Sequence, residues 1–451
     1  MKLSFMGGAQ SVTGSNYLLE SEDTKILIDC GLFQGSKYSE ESNVLPFQYK
    51  PKEIAALFVT HAHIDHIGRI PKLYKDGFRG KIYSTQPSKD FAEPLLLDAE
   101  HMMREENAHD SSKIIYDIDD IDGALKLWDG FPYHEKIVVG PFEVEFYDAG
   151  HILGSASILV TCEGKRVLFS GDLGNVPSLF IKDSEYFTNV DYALIESAYG
   201  DRIHEDVEKR SDILEDVIEE TVKNGGVVMI PSFALERSQE MIYEIDELAQ
   251  HGKIPNVPVF VDSPLAIKLT AIYQKYGQNA MYMNDEFIAH GHSGRATFDL
   301  PGVKMTLTTE QSKEINNVPA PKIVLAGSGM SQGGRILHHE IRYLPDPKNL
   351  ILFVGYQSKG SLGRTILDGA RNVRILGEDV EVRCRTFVIG GYSAHADQNQ
   401  LMRWLEPMRE NVKKVFVVQG EEESANALAQ RARDELAIDA EVPAVNTTVI
   451  L

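Results

Sequence analysis

The chain has 451 residues, 43% of them hydrophobic and 25% charged; that length favours two or three domains, and that composition excludes a disordered, collagen-like or small disulfide-stapled protein. With 45 basic against 67 acidic side chains the net charge is −22, which argues mildly against a polyanion partner unless bound cations or a short basic lining reverse the local field. No apolar run reaches membrane-helix length, the N-terminus MKLSFMGGAQSVTGSNYLLE lacks a secretory layout, and Cys30, Cys162 and Cys384 form no CxxC pair, so a cytoplasmic protein with buried free thiols is expected.

Short apolar runs separated by Gly, Ser and Asp predict strands at Lys2–Met6, Tyr17–Glu20 and Lys25–Asp29, and another at Ile54–Thr60. From Ser88 to about Asn107 the pattern is helical, with Ser88 as the cap and Phe91, Leu95, Leu96 and Ala99 on one face. Strands resume at Lys136–Val139, Glu143–Tyr147, Ile158–Val160, Arg166–Ser170 and Tyr192–Glu196. From about 205 helix and strand alternate: a charged amphipathic stretch Val207–Asn224, strand Val227–Ile230, helix Leu235–Gln250, then strands Val257–Val261, Ile323–Ala326 and Leu350–Val354. That texture predicts an α/β insert with a mostly parallel sheet. The segment 279–318 is less regular, and strands return at Glu381–Ile389 and Val415–Val418.

The strongest local signal is Thr60-His61-Ala62-His63-Ile64-Asp65-His66, directly after an apolar strand. The whole chain has 14 histidines, so three of them within six positions are hard to place by chance. Imidazole and carboxylate together suit zinc or a similar first-row metal. His151, in Gly150-His151-Ile152-Leu153-Gly154-Ser155-Ala156, and Asp172, in Ser170-Gly171-Asp172-Leu173-Gly174, also sit just past strands. Alone, each reads as a satisfied loop or turn residue.

Taken in order, HAHIDH, GHILGSA and SGDLG resemble the metallo-β-lactamase fold, an αββα sandwich with a metal site on one edge. Later blocks narrow the likeness to its β-CASP subgroup: Ile195-Glu196-Ser197-Ala198-Tyr199-Gly200, Pro231–Arg237 (PSFALER), Val261–Ala266 (VDSPLA), Gly327–Arg335 (GSGMSQGGR), Gly355-Tyr356-Gln357 with Gly360–Arg364 (GSLGR), and Tyr392–Asp397 (YSAHAD). The resemblance spans nearly the whole chain. It implies an α/β protein in three segments: the lactamase domain over 1–203 and 375–451, and a β-CASP insert over 204–374. It also implies a nuclease, mostly of RNA, similar to bacterial ribonucleases and to the nuclease of pre-mRNA 3′-end processing.

By that likeness His61, His63 and His151 hold one zinc, Asp65 and His66 hold another, and Asp172 bridges them. A metal-bound hydroxide then attacks phosphorus, with Asp65 in the catalytic set. Asp29 orients a ligand imidazole. His395 is the general acid for the leaving oxygen, oriented by Glu196. The family's late strand ends in His-Gly-Glu; here it reads Gln419-Gly420-Glu421, and no histidine follows His395. Glutamine is a weaker zinc ligand than imidazole, so the second site is expected to bind loosely, to prefer manganese, or to stay empty. His338 and His339, in a predicted helix of the insert, are nearby candidates to substitute in principle.

Single-stranded RNA is the expected partner, a homodimer is left open, and no membrane is involved. With no appended RNA module before the first strand, phosphate grips are expected in the insert, at Arg237, Lys268, Arg335 and Arg364, with Ser328 and Gly329 offering donors. The alternatives are a weak or inactive RNA-binding scaffold, suggested by Gln419, and a phosphodiesterase of DNA or another ester.

Overall fold

The structure, a computed structural model, describes all residues except 36–40, 205–208, 292–301, 356 and 358–359. Tyr356, Val207 and Glu208 of the sequence reading, and part of its irregular 279–318 segment, therefore lie outside the described residues. Two compact units are formed: Met1–Ile203 with Asn279–Asp285 and His395–Leu451, and His204–Gln278 with Glu286–Ala394.

In the first unit, short apolar runs build two seven-stranded sheets. One has the order Thr448–Ile450, Lys2–Gly7, Asn16–Ser21, Thr24–Ile28, Ala56–Phe58, Lys81–Thr85, Trp128–Phe131. The other runs Ala440–Glu441, Lys414–Val418, Tyr192–Glu196, Lys165–Phe169, Ala156–Cys162, Phe142–Asp148, Ile137–Val139. Phe142–Asp148 buries every second residue, as the two-residue period of a strand requires. The sheets meet through aromatic pairs: Phe5 and Phe416 at 5.2 Å between ring centroids, Tyr17 and Phe169 at 5.9 Å, Phe58 and Phe146 at 6.3 Å. Helix Gln86–Glu106 packs on the first sheet. On the second, Leu401, Trp404 and Leu405 of Gln398–Leu405 and Leu428, Ala429 and Ala432 of Glu422–Leu436 cover Leu159, Leu168, Ile195 and Val417. Each buried leucine, isoleucine or valine among them contributes about 1.5–3 kcal/mol, and the layers make an αββα sandwich.

The second unit is a six-stranded parallel sheet ordered Val303–Met305, Val259–Asp262, Lys322–Ala326, Val227–Pro231, Leu350–Phe353, Arg385–Val388. Its four central strands are buried on both faces and sit between two cores, the pattern that parallel sheets demand.

Three expectations are corrected. Thr85, not Ser88, caps helix Gln86–Glu106: the Thr85 hydroxyl accepts from the Ser88 N–H, and Pro87 stands in the first turn. The run Glu381–Ile389 is two elements. Glu378–Glu381 closes a hairpin with Asn372–Ile375 through Leu376 and Gly377, both at positive φ, a turn that follows the strand twist. Arg385–Val388 instead pairs in parallel with Leu350–Phe353. That strand belongs to the second unit, so the chain returns to the first at His395 rather than at 375. The irregular segment also contains helices Asp285–Gly291 and Thr309–Glu314 and strand Val303–Met305.

Candidate metal centre

Strand ends in the first unit carry the candidate residues. Thr24–Ile28 leads to Asp29, Ala56–Phe58 to His61, Phe142–Asp148 to His151, Lys165–Phe169 to Asp172, and Lys414–Val418 to Gln419. The histidine loop lies tight against its neighbour: a Cβ on Gly31 would stand 1.5 Å from the Asp65 carbonyl oxygen. Gly174 is pressed in the same way against Gly150, where a Cβ would be 1.7 Å from the carbonyl oxygen.

Four donor atoms converge. His63 Nδ1 lies 3.0 Å from His61 Nε2 and 3.2 Å from His151 Nε2. Asp172 Oδ2 lies 3.5 Å from His61 Nε2 and 3.7 Å from His151 Nε2. Four tetrahedral donors each about 2.0–2.1 Å from a zinc ion stand roughly 3.3–3.4 Å from one another, so this set fits such an ion. Burial and the nearby His66 hold His61 well below the ordinary imidazole range, which leaves the neutral ring that ligation needs. Together these four residues could hold a metal ion, as could Asp65, His66 and Asp172.

The second trio is arranged differently. His66 Nε2 is 3.4 Å from Asp172 Oδ1 and 3.7 Å from Asp65 Oδ2, while His66 Nδ1 is 2.7 Å from Asp29 Oδ2. Asp29 also accepts from the Thr60 N–H at 2.8 Å, the Thr60 hydroxyl at 2.9 Å and the Ser15 hydroxyl at 3.0 Å. That buried carboxylate thereby aims the His66 ring. Gln419 Nε2 stands 2.9 Å from both His66 Nε2 and Asp172 Oδ1. Against the burial of His66, the carboxylates of Asp172, Asp29 and Asp65 raise its pKa well above the ordinary value. The Gln419 amide hydrogens answer part of that demand for positive charge. Burial raises Asp65 to about 6.

Beside Asp172, His395 Nδ1 is 3.1 Å from Glu196 Oε1. Glu196 is fully buried and accepts the Leu173 N–H at 2.8 Å and the Ala198 N–H at 3.2 Å. Burial opposes a charged His395, but the Glu196 carboxylate outweighs it and lifts the imidazole to about 9. The loop is pinned by the Ala396 N–H on the Leu173 carbonyl at 2.8 Å, and the next helix is closed by an Asp397–Gln400 capping box.

The residues read as phosphate grips all lie in the second unit, in connections or helices that follow its parallel strands. Arg237 is buried and paired with Glu240. Arg335 donates to Asp262 Oδ1 at 2.8 Å and to the carbonyls of Thr306 and Leu307. Arg364 pairs with Asp368, and Lys268 is exposed. The Ser328 hydroxyl accepts the Gln332 N–H, and Gly329 lies under the Phe233 ring. His339 Nε2 is 2.8 Å from Asp262 Oδ2, which ties it to that carboxylate. Thr60, Ser15 and Ser155 were missed from sequence. Ser155 Oγ accepts the His151 N–H at 3.0 Å, and the adjacency of Thr60 to His61 was the available signal.

Three family models match: the Metallo-beta-lactamase superfamily over residues 11–214, the Beta-Casp domain over 238–366, and the Zn-dependent metallo-hydrolase RNA specificity domain over 379–443. Ribonuclease TTHA0252 of Thermus thermophilus is 38% identical, with 95% of each chain covered. The transcription termination factor FttA of Methanosarcina mazei is 32% identical over 97% of this chain and 70% of its own. An RNase J-like protein of Methanocaldococcus jannaschii is 31% identical over 99% and 98%. A crystal structure of a protein of unknown function from Enterococcus faecalis shares the fold, with a TM-score of 0.57 at 12% identity over 100% of this chain and 99% of that one. This chain belongs to the β-CASP group of the metallo-β-lactamase superfamily.

Proposed function

We propose that the protein is a zinc-dependent ribonuclease that hydrolyses phosphodiester bonds of single-stranded RNA. The observation that carries this is the convergence of His61, His63, His151 and Asp172 at donor spacings of 3.0–3.7 Å. Relatives named as ribonucleases support it.

His61 Nε2, His63 Nδ1, His151 Nε2 and Asp172 Oδ2 would hold the zinc. When bound, zinc supplies Lewis acidity, which eases loss of a proton from water and offsets charge on phosphoryl oxygens. His395 carries the proton for the leaving oxygen on Nε2, because its Nδ1 faces Glu196. Glu196 holds the ring in place and favours its charged form. Lys268 and Arg364, the less enclosed of the basic candidates, make phosphate contacts. Asp65 completes the acidic lining of the site.

The test is cleavage of a labelled single-stranded RNA and of the matching DNA, before and after chelation. RNA cleavage stopped by chelator, restored by zinc and absent from His61→Ala is the expected result. Cleavage that survives full metal removal, or that is confined to DNA, would overturn it. The Gln419 amide favours a second reading, a weakly active RNA-binding scaffold; tight RNA binding with no turnover under zinc saturation would select it.

A further inference from the structure

Resting on the metal-dependent reading above, we infer that Gln419 takes the place of the second cation: its carboxamide closes the pocket of Asp65, His66 and Asp172, and the protein works with a single ion. Gln419 Nε2 is 2.9 Å from His66 Nε2 and 2.9 Å from Asp172 Oδ1. An amide nitrogen can donate but has no lone pair for a metal. It therefore donates to Asp172 Oδ1, and His66, whose Nδ1 faces Asp29 Oδ2 at 2.7 Å, accepts the other amide hydrogen through Nε2 in the neutral form that ligation would need. The two atoms a second ion would need are already satisfied by N–H groups.

The reversed amide is disfavoured. With Oε1 inward, the same position would set an oxygen 2.9 Å from the Asp172 carboxylate oxygen, and against the lone pair of His66 in its neutral, ligating form. Binding a second ion would thus require the amide to turn over and two buried hydrogen bonds to be lost. The residue itself is held in place. Gln419 is 3% exposed and adopts φ 48°. Its N–H donates to the Gly8 carbonyl at 2.6 Å, and its carbonyl accepts the Ser197 N–H at 3.3 Å. The first pocket is untouched by this closure, because it uses Asp172 Oδ2 rather than Oδ1. Asp172 thus divides its two oxygens between an ion and an amide.

Zinc content of the full-length protein, measured by elemental analysis after saturation with zinc and removal of excess, tests the inference, with circular dichroism to verify the fold of each variant. Wild type is expected to retain about one ion per chain and Gln419→His about two, since imidazole supplies the lone pair that the amide nitrogen lacks. Gln419→Ala is expected to rise above the wild-type content, because it removes the donor without adding a ligand. Two ions in wild type, or one in both wild type and Gln419→His, overturn the inference and leave the ribonuclease reading standing. No ion in any of them overturns both.

Discussion

Glu196 and His395 form a pair whose value lies in charge as well as position. Glutamine at 196 keeps the shape but removes the anion that holds the imidazole proton, so Glu196→Gln should lower kcat about 10²-fold or more while leaving zinc content unchanged. Single-turnover RNA cleavage beside metal analysis checks this; an unaltered rate would remove His395 from the proton transfer. In the second unit Asp262 is a saturated carboxylate. Burial opposes its charge, yet hydrogen bonds from His339, Ser312, Arg335 and Thr306 hold it well below the usual carboxylate range. Breaking such a buried pair costs about 3–5 kcal/mol, so Asp262→Asn should lower the unfolding midpoint clearly. A depressed folded pKa means that the contribution is complete above the unfolded carboxylate value and fades as pH falls below it. The stability gap between wild type and Asp262→Asn should therefore narrow in acid below about pH 4. At this scale the ligand-type residues were legible because donors crowd behind strand ends. The engagement of Arg335 and Arg237 was not, because Asp262 and Glu240 become their partners only when the chain is folded.

Elements set the site by placing strand ends and pressing loops together. Gly31 has no room for a side chain beneath Asp65, so Gly31→Ala should displace the histidine loop and reduce zinc retention even where the sandwich still folds. Zinc analysis with a melting curve measures both; full zinc retention would show that the loop can move aside. Helix Gln398–Leu405 follows His395 closely, and its Asp397 cap also accepts the Gln400 N–H at 2.9 Å. Asp397→Ala should cost about 1 kcal/mol, measured by denaturant unfolding, with zinc content unchanged. Most strands were legible from apolar runs, with boundaries shifted by one or two residues. The run from Glu381 to Ile389 was not, since the alternation of charged and apolar residues (Glu381, Val382, Arg383, Cys384, Arg385) runs on across the break between its two strands. Only the contacts at the break, Val382 N–H to the Arg371 carbonyl and Cys384 N–H to the Leu344 carbonyl, separate them.

For the whole molecule, an acidic chain of net charge −22 concentrates carboxylates and imidazoles at strand ends of both sheets of the sandwich, where burial makes them costly unless a cation or a donor compensates. Among the described residues, no helix is long and apolar enough to cross a membrane, and all three cysteines are buried and free. The order of motifs was legible along the chain because each motif follows its own strand. The return point at His395 was not, because an edge strand of the second unit looks like any other strand until its partner is known. The central claim is that His61, His63, His151 and Asp172 surround one transition-metal ion. Anomalous diffraction at the zinc edge from zinc-soaked crystals tests it most directly. A single peak within bonding reach of all four donor atoms is predicted; zinc-edge density elsewhere, with none among those four side chains, would contradict it.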